Sequence, residues 1–581
     1  LLVLSCLWTA LLSFLSVEGL AQSQPFTPDR SDSLLGNERL QARRYEVLHY
    51  RLKVRVDPAR RYLQGENTML FTPQRDLERV RLDLHPHFEV SELRLLGAET
   101  GRWQREGRFL YFTGEQPLQA GQRYRLRVAY HGRPPVAEKP PWQGGFVWET
   151  DSLGRPWLGV ACQGIGASTW WPCRDHPSDE PDSVDLIYEV PASLTAVGNG
   201  RLVDRYSIPG AGPDSVAYRG FHWKVVNPIN HYNITFNAGH YALRRDRYRY
   251  PNGDTLALRY WMLDYHAARA ARYFARETPR MLEAFHYWFG PYPFLEDGFQ
   301  LVETPYWGME HQSAVAYGNN FYRNRWGFDF ILVHEAAHEY WGNNISAPDR
   351  GQLWMHESFA TYAEALYLEY HHGYDTALAY LKQQRQRIEN QARMFGPQNV
   401  AFHAWPDNDI YYKGAWVLHS FRHLIDGKRS GYWRRYFRRL QEGFAGQVVD
   451  SRTLLAAFGP DALPGLFKPQ TRHHPPGPSL ESLSTGWFWR AYLYHPELPV
   501  LEWRVDTSHP PGPQLLYRWR HPSDTFWMPM HVRFAEPELN QGIESIWLNP
   551  QTGRWQSIPL GKGVRASHIR WPEDQYLVRF R

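Results

Sequence analysis

Phe328-Asp-Phe-Ile-Leu-Val-His334-Glu335-Ala-Ala-His338-Glu-Tyr-Trp341-Gly342 is the stretch on which the reading of this chain turns. Its apolar spacing predicts one helix over 328–341, ended by Gly342. His334 and His338 fall at i and i+4, on one helical face, where both imidazoles can reach one metal ion. Glu335 points to the same side and can take a proton from a water at that ion. Two histidines and a glutamate on a solvated helix would spell the same motif, so the reading needs a third ligand.

The next segment supplies one. Trp354-Met-His356-Glu357-Ser-Phe-Ala-Thr-Tyr-Ala-Glu364 opens a second helix that should run to Gly373. Glu357 stands 19 residues after His338, on a helix able to fold back beside the first. Two neutral imidazoles and one carboxylate leave zinc's fourth position open, as catalytic sites do and structural sites do not. One Zn²⁺ ion is therefore expected, held by His334, His338 and Glu357. It would lower a water's pKa towards about 7, with Glu335 completing the activation.

Outside these two helices the chain divides by period. From about Gln41 to His240 the apolar residues alternate: Leu52, Val54 and Val56 with Lys53 and Arg55, and Val80, Leu82 and Leu84 with Arg81 and Asp83. That is the pattern of half-buried antiparallel strands. From about Tyr265 to Arg490 the period is helical, and a Pro-rich connector covers 459–478. Alternation returns after Leu498, with Leu501/Trp503/Val505, Met530/Val532/Phe534 and a last strand over 576–580.

The first 21 residues hold an apolar run followed by Gly19-Leu20-Ala21, the core and small-residue cleavage site of an export signal. A lipobox around Cys6 is the alternative. The run is short of the ~20 residues a membrane span needs, so no span is expected in the mature chain. Export would place the protein in the periplasm or outside the cell. There Cys162 and Cys173, eleven apart, could pair, or stay two buried thiols; the sequence leaves both open.

Charge excludes other classes. With 65 Lys+Arg against 60 Asp+Glu, the net charge of +5 gives no basic field for nucleic acid. Three Cys in 581 residues exclude a disulfide scaffold and a Cys-based zinc finger. Of 26 His, most read as bystanders. His371 and His372 would end a helix as imidazolium facing its dipole, and His473 and His474 lie in the connector. Nothing in the sequence points to an oligomeric state.

The quoted segments resemble the gluzincin zinc aminopeptidases of the aminopeptidase N type, whose pattern is HExxH, eighteen residues, then Glu. Three further blocks match in order. Trp307-Gly308-Met309-Glu310-His311 resembles the family's Gly-Ala-Met-Glu-Asn exopeptidase motif. Tyr411-Tyr412-Lys413-Gly414 resembles its Tyr-x-Lys-Gly. Cys162-Gln163 to Pro172-Cys173-Arg174-Asp175 resembles the segment carrying a substrate-binding Gln.

The resemblance implies a multidomain α+β fold. Its parts would be a signal peptide (1–21), an N-terminal antiparallel β domain (22–245), a thermolysin-like, mainly helical zinc catalytic domain (246–495) and a small C-terminal β domain (496–581). It implies a zinc aminopeptidase acting on peptides with a free N-terminus. Glu335 would be general base and proton shuttle, and Tyr411, selected over Tyr412 by the motif spacing, would donate to the oxyanion. Glu310 would bind the α-amine, with Gln163, Gly308 and Met309 along the substrate. Glu364 would orient a zinc ligand or lie on a solvated helix face. Trp307 and His311 depart from the family motif, so side-chain preference is left open. The rivals are a thermolysin-like endopeptidase, which has no use for an amine anchor, and a silent peptide-binding protein of the same fold.

Overall fold

In the computed structural model, residues 26–38, 40, 44–97, 101–210, 216–425, 431–457, 486–508 and 512–581 are described. The signal segment and its Cys6, and the connector with His473 and His474, lie outside these residues.

The N-terminal part is built on a seven-stranded sheet. Its spatial order is Arg201–Ile208, Tyr218–Val225, Ser183–Pro191, Tyr45–Asp57, Tyr62–Pro73, Tyr124–Gly132, Phe88–Leu95. Leu52, Val54 and Val56 are buried while Lys53 is exposed, as period two requires. The expectation of antiparallel strands needs one correction. Tyr45–Asp57 runs parallel to Ser183–Pro191, with His49 opposite Ser183 and Arg55 opposite Glu189. These two strands lie more than a hundred residues apart, so no hairpin constrains their direction.

A second departure is at Leu77–Asp83, in a three-stranded sheet with Phe109–Leu118 and Gly101–Glu106. Alternation predicts an exposed face there, yet Arg81 and Asp83 are buried and paired at 3.1 Å. The short helix Arg30–Gly36 covers that face: Arg81 donates to Leu34 O at 3.0 Å and lies over the Phe109 ring. A local pattern cannot register a cover supplied by a distant segment. Cys162 and Cys173 are both buried and no disulfide joins them, so of the two alternatives the structure has the two buried thiols.

A five-stranded sheet joins this part to the helices. Its order is Tyr241–Arg249, Thr255–Leu263, Phe299–Glu303, Val315–Tyr317, Gly308–Met309, which puts Gly308–Met309 at one edge. Met309, Ala314 and Ala316 pack with the N-terminal core, while Leu301, Val315 and Tyr317 pack with the helical core. The sheet is thus a shared wall between two apolar cores, held by burial on both faces.

Against it stand the helices Ala267–Trp288, Phe330–Ala337, Trp354–His372, Tyr374–Arg385 and Tyr412–Ile425. Trp354–His372 ends as expected at Gly373, whose φ of +85° suits glycine. The HExxH helix is shorter than 328–341. It starts at Phe330 after its Asp329 cap, and His338 already sits at its C-terminal cap. Its last turn tightens, with Tyr340 N bonding Ala337 O three residues back. His371 is also corrected. Burial pushes its pKa down, and it shares a 3.0 Å hydrogen bond with Arg280 O, so it acts as a neutral donor to a carbonyl rather than as an imidazolium.

The C-terminal part has a four-stranded sheet in the order Gln556–Pro559, Gln514–Arg520, Val500–Asp506, Arg579–Phe580, and a second in which Met530–Phe534 pairs with Ser545–Leu548 and Ile569–Arg570. The final strand is two residues long rather than five. Leu577 instead spends its backbone on the helical part: its N–H bonds Ser420 Oγ at 2.8 Å and its carbonyl accepts from Tyr492 at 2.9 Å. Among the described residues, no helix is long and apolar enough to cross a membrane.

Candidate active site

The HExxH helix is fixed at its start by one buried carboxylate. Asp329 caps it by accepting from Leu332 N at 3.2 Å, and takes hydroxyl donors from Tyr317 at 2.6 Å and Tyr273 at 2.9 Å. Tyr317 belongs to the five-stranded sheet, so cap and sheet set the helix register together. The two histidines then meet the second helix. His334 Nε2 and His338 Nε2 are 3.3 Å apart, and they lie 3.6 and 3.4 Å from Glu357 Oε2. Ligand atoms ~2.0–2.1 Å from a tetrahedral zinc are roughly 3.3 Å from one another. The triangle therefore fits such an ion, and it is the one group of three His, Cys, Asp or Glu side chains so placed among the described residues.

The tautomers suit the same purpose. His338 Nδ1 lies 3.0 Å from Trp341 O, and a carbonyl only accepts, so the ring proton sits on Nδ1 and Nε2 keeps its lone pair. His334 Nδ1 lies 2.8 Å from Glu364 Oε1, which fixes that ring in the same way. Glu364 is buried, which removes the reading of a solvated helix face, and it also accepts from Tyr380 and from Gln384 Nε2 at 3.0 Å.

The electrostatics describe a cradle for positive charge. Burial acts to lower His334, but its hydrogen bonds to Glu357 and Glu364 outweigh this and hold its pKa well above the ordinary imidazole value. His338 is raised too, against burial, chiefly by Glu357. Burial acts to raise Glu357, but His338 and His334 hold it far below the usual carboxylate range. Glu335 is pushed up to about 7 by burial, against the pull of the two imidazoles.

Gly308 explains itself here. A Cβ at that position would stand 2.5 Å from Glu335 Oε1 and 3.0 Å from Ile331 Cγ2, so glycine lets the edge strand pass over the carboxylate without displacing it. Two residues on, Glu310 is buried. It accepts from Gln163 Nε2 at 2.6 Å and from Tyr232 Oη at 3.0 Å. Gln163 Nε2 also lies 3.2 Å from Glu357 Oε1, so one amide bridges the carboxylate of the metal triangle and the carboxylate expected to hold an amine. Met309 pairs antiparallel with Ala316 and packs into the N-terminal core.

The Tyr411 and Tyr412 side chains part ways. Tyr411 stacks over His334, with ring centroids 6.2 Å apart, while Tyr412 Oη accepts from Arg387 at 2.8 Å away from the triangle. Burial, then Glu357, Glu310 and Glu335, raise the Tyr411 hydroxyl well above its ordinary pKa, so it stays a donor. Gly414 keeps this segment close to the second helix, because a Cβ there would meet Ser358 Oγ at 1.7 Å. Lys413 plays no part in the site. It is buried, with Nζ donating to Pro496 O at 2.7 Å, and burial lowers its pKa to about 8.

His311 is buried with no hydrogen-bond partner on either ring nitrogen among the described residues, and burial drives its pKa down to about 3. His356 is likewise held near 3, accepting from Ala347 N at 2.9 Å. Sequence reasoning missed Tyr232, Tyr380 and Gln384. Tyr232 sits in a single 3-10 turn of the N-terminal part, 78 residues from Glu310, and no spacing marks it. Tyr380 and Gln384 are i and i+4 on the helix Tyr374–Arg385, a pairing that could have been read as one polar face.

Comparison with known proteins gives the frame. Residues 301–459, which hold Glu310, the metal triangle and Tyr411, match the Peptidase family M1 domain. The part of the chain that holds the site is thus similar to an M1 peptidase domain. Aminopeptidase B of Rattus norvegicus is 24% identical over 352 residues, 55% of this chain and 50% of that protein. Leucine aminopeptidase 2 of Ajellomyces capsulatus is 23% identical over 370 residues, 60% of this chain and 54% of that protein. The chain thus spans about half the length of the curated relatives it matches. An M1 zinc metallopeptidase mutant from Deinococcus radiodurans, solved bound to a Tyr-Ser-Ala substrate, superposes with a TM-score of 0.62 at 21% identity. The match covers 80% of this chain and 98% of that one. This chain shares the multidomain fold of that structure, with an N-terminal β part, a helical middle part and a C-terminal β part.

Proposed function

We propose that this protein is a zinc-dependent aminopeptidase that removes the N-terminal residue of peptides, with one zinc ion held by His334, His338 and Glu357. The observation that carries the exopeptidase reading is the Gln163 amide spanning Glu310 and Glu357. It ties an ammonium-binding carboxylate to the metal triangle, so the cut falls one residue from the amine.

The chain's own groups divide the work. Glu310 binds the substrate ammonium in a buried setting where a single ion pair counts heavily. Gln163 and Tyr232 hold that carboxylate in place. Glu335 takes a proton from the attacking water and passes it to the leaving amine, its raised pKa suiting both roles. Tyr411 donates its hydroxyl to the oxyanion of the tetrahedral intermediate. Zinc bound in the triangle supplies a Lewis acid that polarises the scissile carbonyl and acidifies water.

The names of the relatives support this reading, as does the Tyr-Ser-Ala substrate of the Deinococcus radiodurans structure. The apolar segment at residues 1–21 supports export to the periplasm or beyond. The test compares a free peptide with its N-acetylated form. Cleavage of the free peptide only is expected; equal cleavage of both would make the protein an endopeptidase. No turnover of either by zinc-loaded protein would leave a peptide-binding protein.

A further inference from the structure

The bend that leads into the edge strand Gly308–Met309 carries exposed aromatic surface beside the catalytic groups. Trp307, immediately before Gly308, is 45% exposed, and Trp142, from a loop of the N-terminal part, is 61% exposed. Their ring centroids are 6.2 Å apart. Trp307 also lies 5.4 Å from Phe330, which stacks at 5.4 Å on the metal-site imidazole of His334. A continuous aromatic path therefore leads from the metal triangle to solvent across both domains. Two large apolar rings left in water beside a peptide site call for an occupant.

The order of groups along the strand says which part of the substrate this is. Glu310 takes the amine, Glu335 lies against Gly308, and Trp307 follows on the far side. A peptide that starts at Glu310 and is cut opposite Glu335 must send its remaining residues past Trp307. Three residues separate Trp307 from Glu310, with the short strand Gly308–Met309 between them, a reach of at most about 10 Å, which is that of the residues just after the scissile bond. The geometry points to Trp307 and Trp142 as a specificity-determining subsite for aromatic side chains on the leaving fragment. This rests on the aminopeptidase reading of the same site.

The test uses the zinc-loaded full chain and two peptides with free amines, Leu-Ala-Trp and Leu-Trp-Ala, each compared with Leu-Ala-Ala. Wild type should release leucine from at least one aromatic peptide with a kcat/KM about three- to tenfold higher, the worth of one ring contact. Trp307→Ala and Trp142→Ala should each bring that ratio back towards one, and Trp307→Phe should keep most of it. A ratio of one in the wild type, or a ratio unmoved by both alanine variants, would overturn the subsite while leaving the aminopeptidase standing. Failure to release the first residue from these peptides, and from the same series begun with arginine or alanine, would remove both readings.

Discussion

His334 and His338 are buried, as are His311, 23 residues before the first, and His356, 18 residues after the second, yet their electrostatic fates are opposite. The first pair is drawn above the ordinary imidazole pKa, and the second is driven to about 3. What separates them is the placement of carboxylates. Glu357 and Glu364 face the first pair, whereas His311 has no hydrogen-bond partner among the described residues and His356 faces a backbone N–H. A buried imidazole becomes a site for a cation only where anionic oxygens are within reach to offset its desolvation. Histidine content is a poor guide to such a site, and histidine surroundings are a good one.

The sharpest way to break this comparison is to remove the carboxylate that the two ligating imidazoles share. Glu357→Gln should lose bound zinc and at least a thousandfold of any peptidase activity, while His311→Asn should keep the full zinc content. Metal analysis of the two purified variants decides it, and equal zinc in both would undo the distinction. Glu335→Gln comes next. It should retain zinc but lower kcat by about 10²–10⁴, because Glu335 moves protons without closing the triangle. Glu364→Gln touches the cradle only through His334 Nδ1, so a fall of about 10–100-fold in zinc affinity or activity is expected. Equilibrium dialysis against a competing chelator would measure it.

The smallest effect belongs to the neutral imidazoles. The folded-state pKa of His311 is lowered, so between about 6.5 and 3 the unfolded chain binds the proton and the folded chain does not. Stability from this group is therefore present above that window and lost as pH falls through it, with a slope of up to about 1.4 kcal/mol per pH unit. Urea unfolding across pH 3–6.5 should show a shallower acid loss in His311→Asn. In the same range zinc should leave the wild type progressively, because protons compete for His334 and His338.

Legibility followed the range of the forces. The triangle could be read because His334, Glu335 and His338 share one helical face, and Glu357 opens the next helix at a set distance. The choice of Tyr411 over Tyr412 came from a motif, and the structure shows the two side chains turned to different partners. Arg81 and Asp83 misled because alternation assumes a wet face, and here the helix Arg30–Gly36 dries it. The parallel pairing of Tyr45–Asp57 with Ser183–Pro191, and the Tyr232 bond to Glu310, join residues whose separation no local pattern encodes.

By itself the sequence marked the side chains of the candidate metal triangle, the Glu335 carboxylate beside them and the β, helical, β succession. Each of these depends on the spacing of neighbouring residues along one element. The tertiary structure alone decided that Gln163 bridges Glu310 to Glu357, that Glu364 fixes a ligating ring, and that Trp142 meets Trp307. Those contacts join side chains from separate elements. Only the packing of two cores against one shared sheet brings them within hydrogen-bond or van der Waals reach.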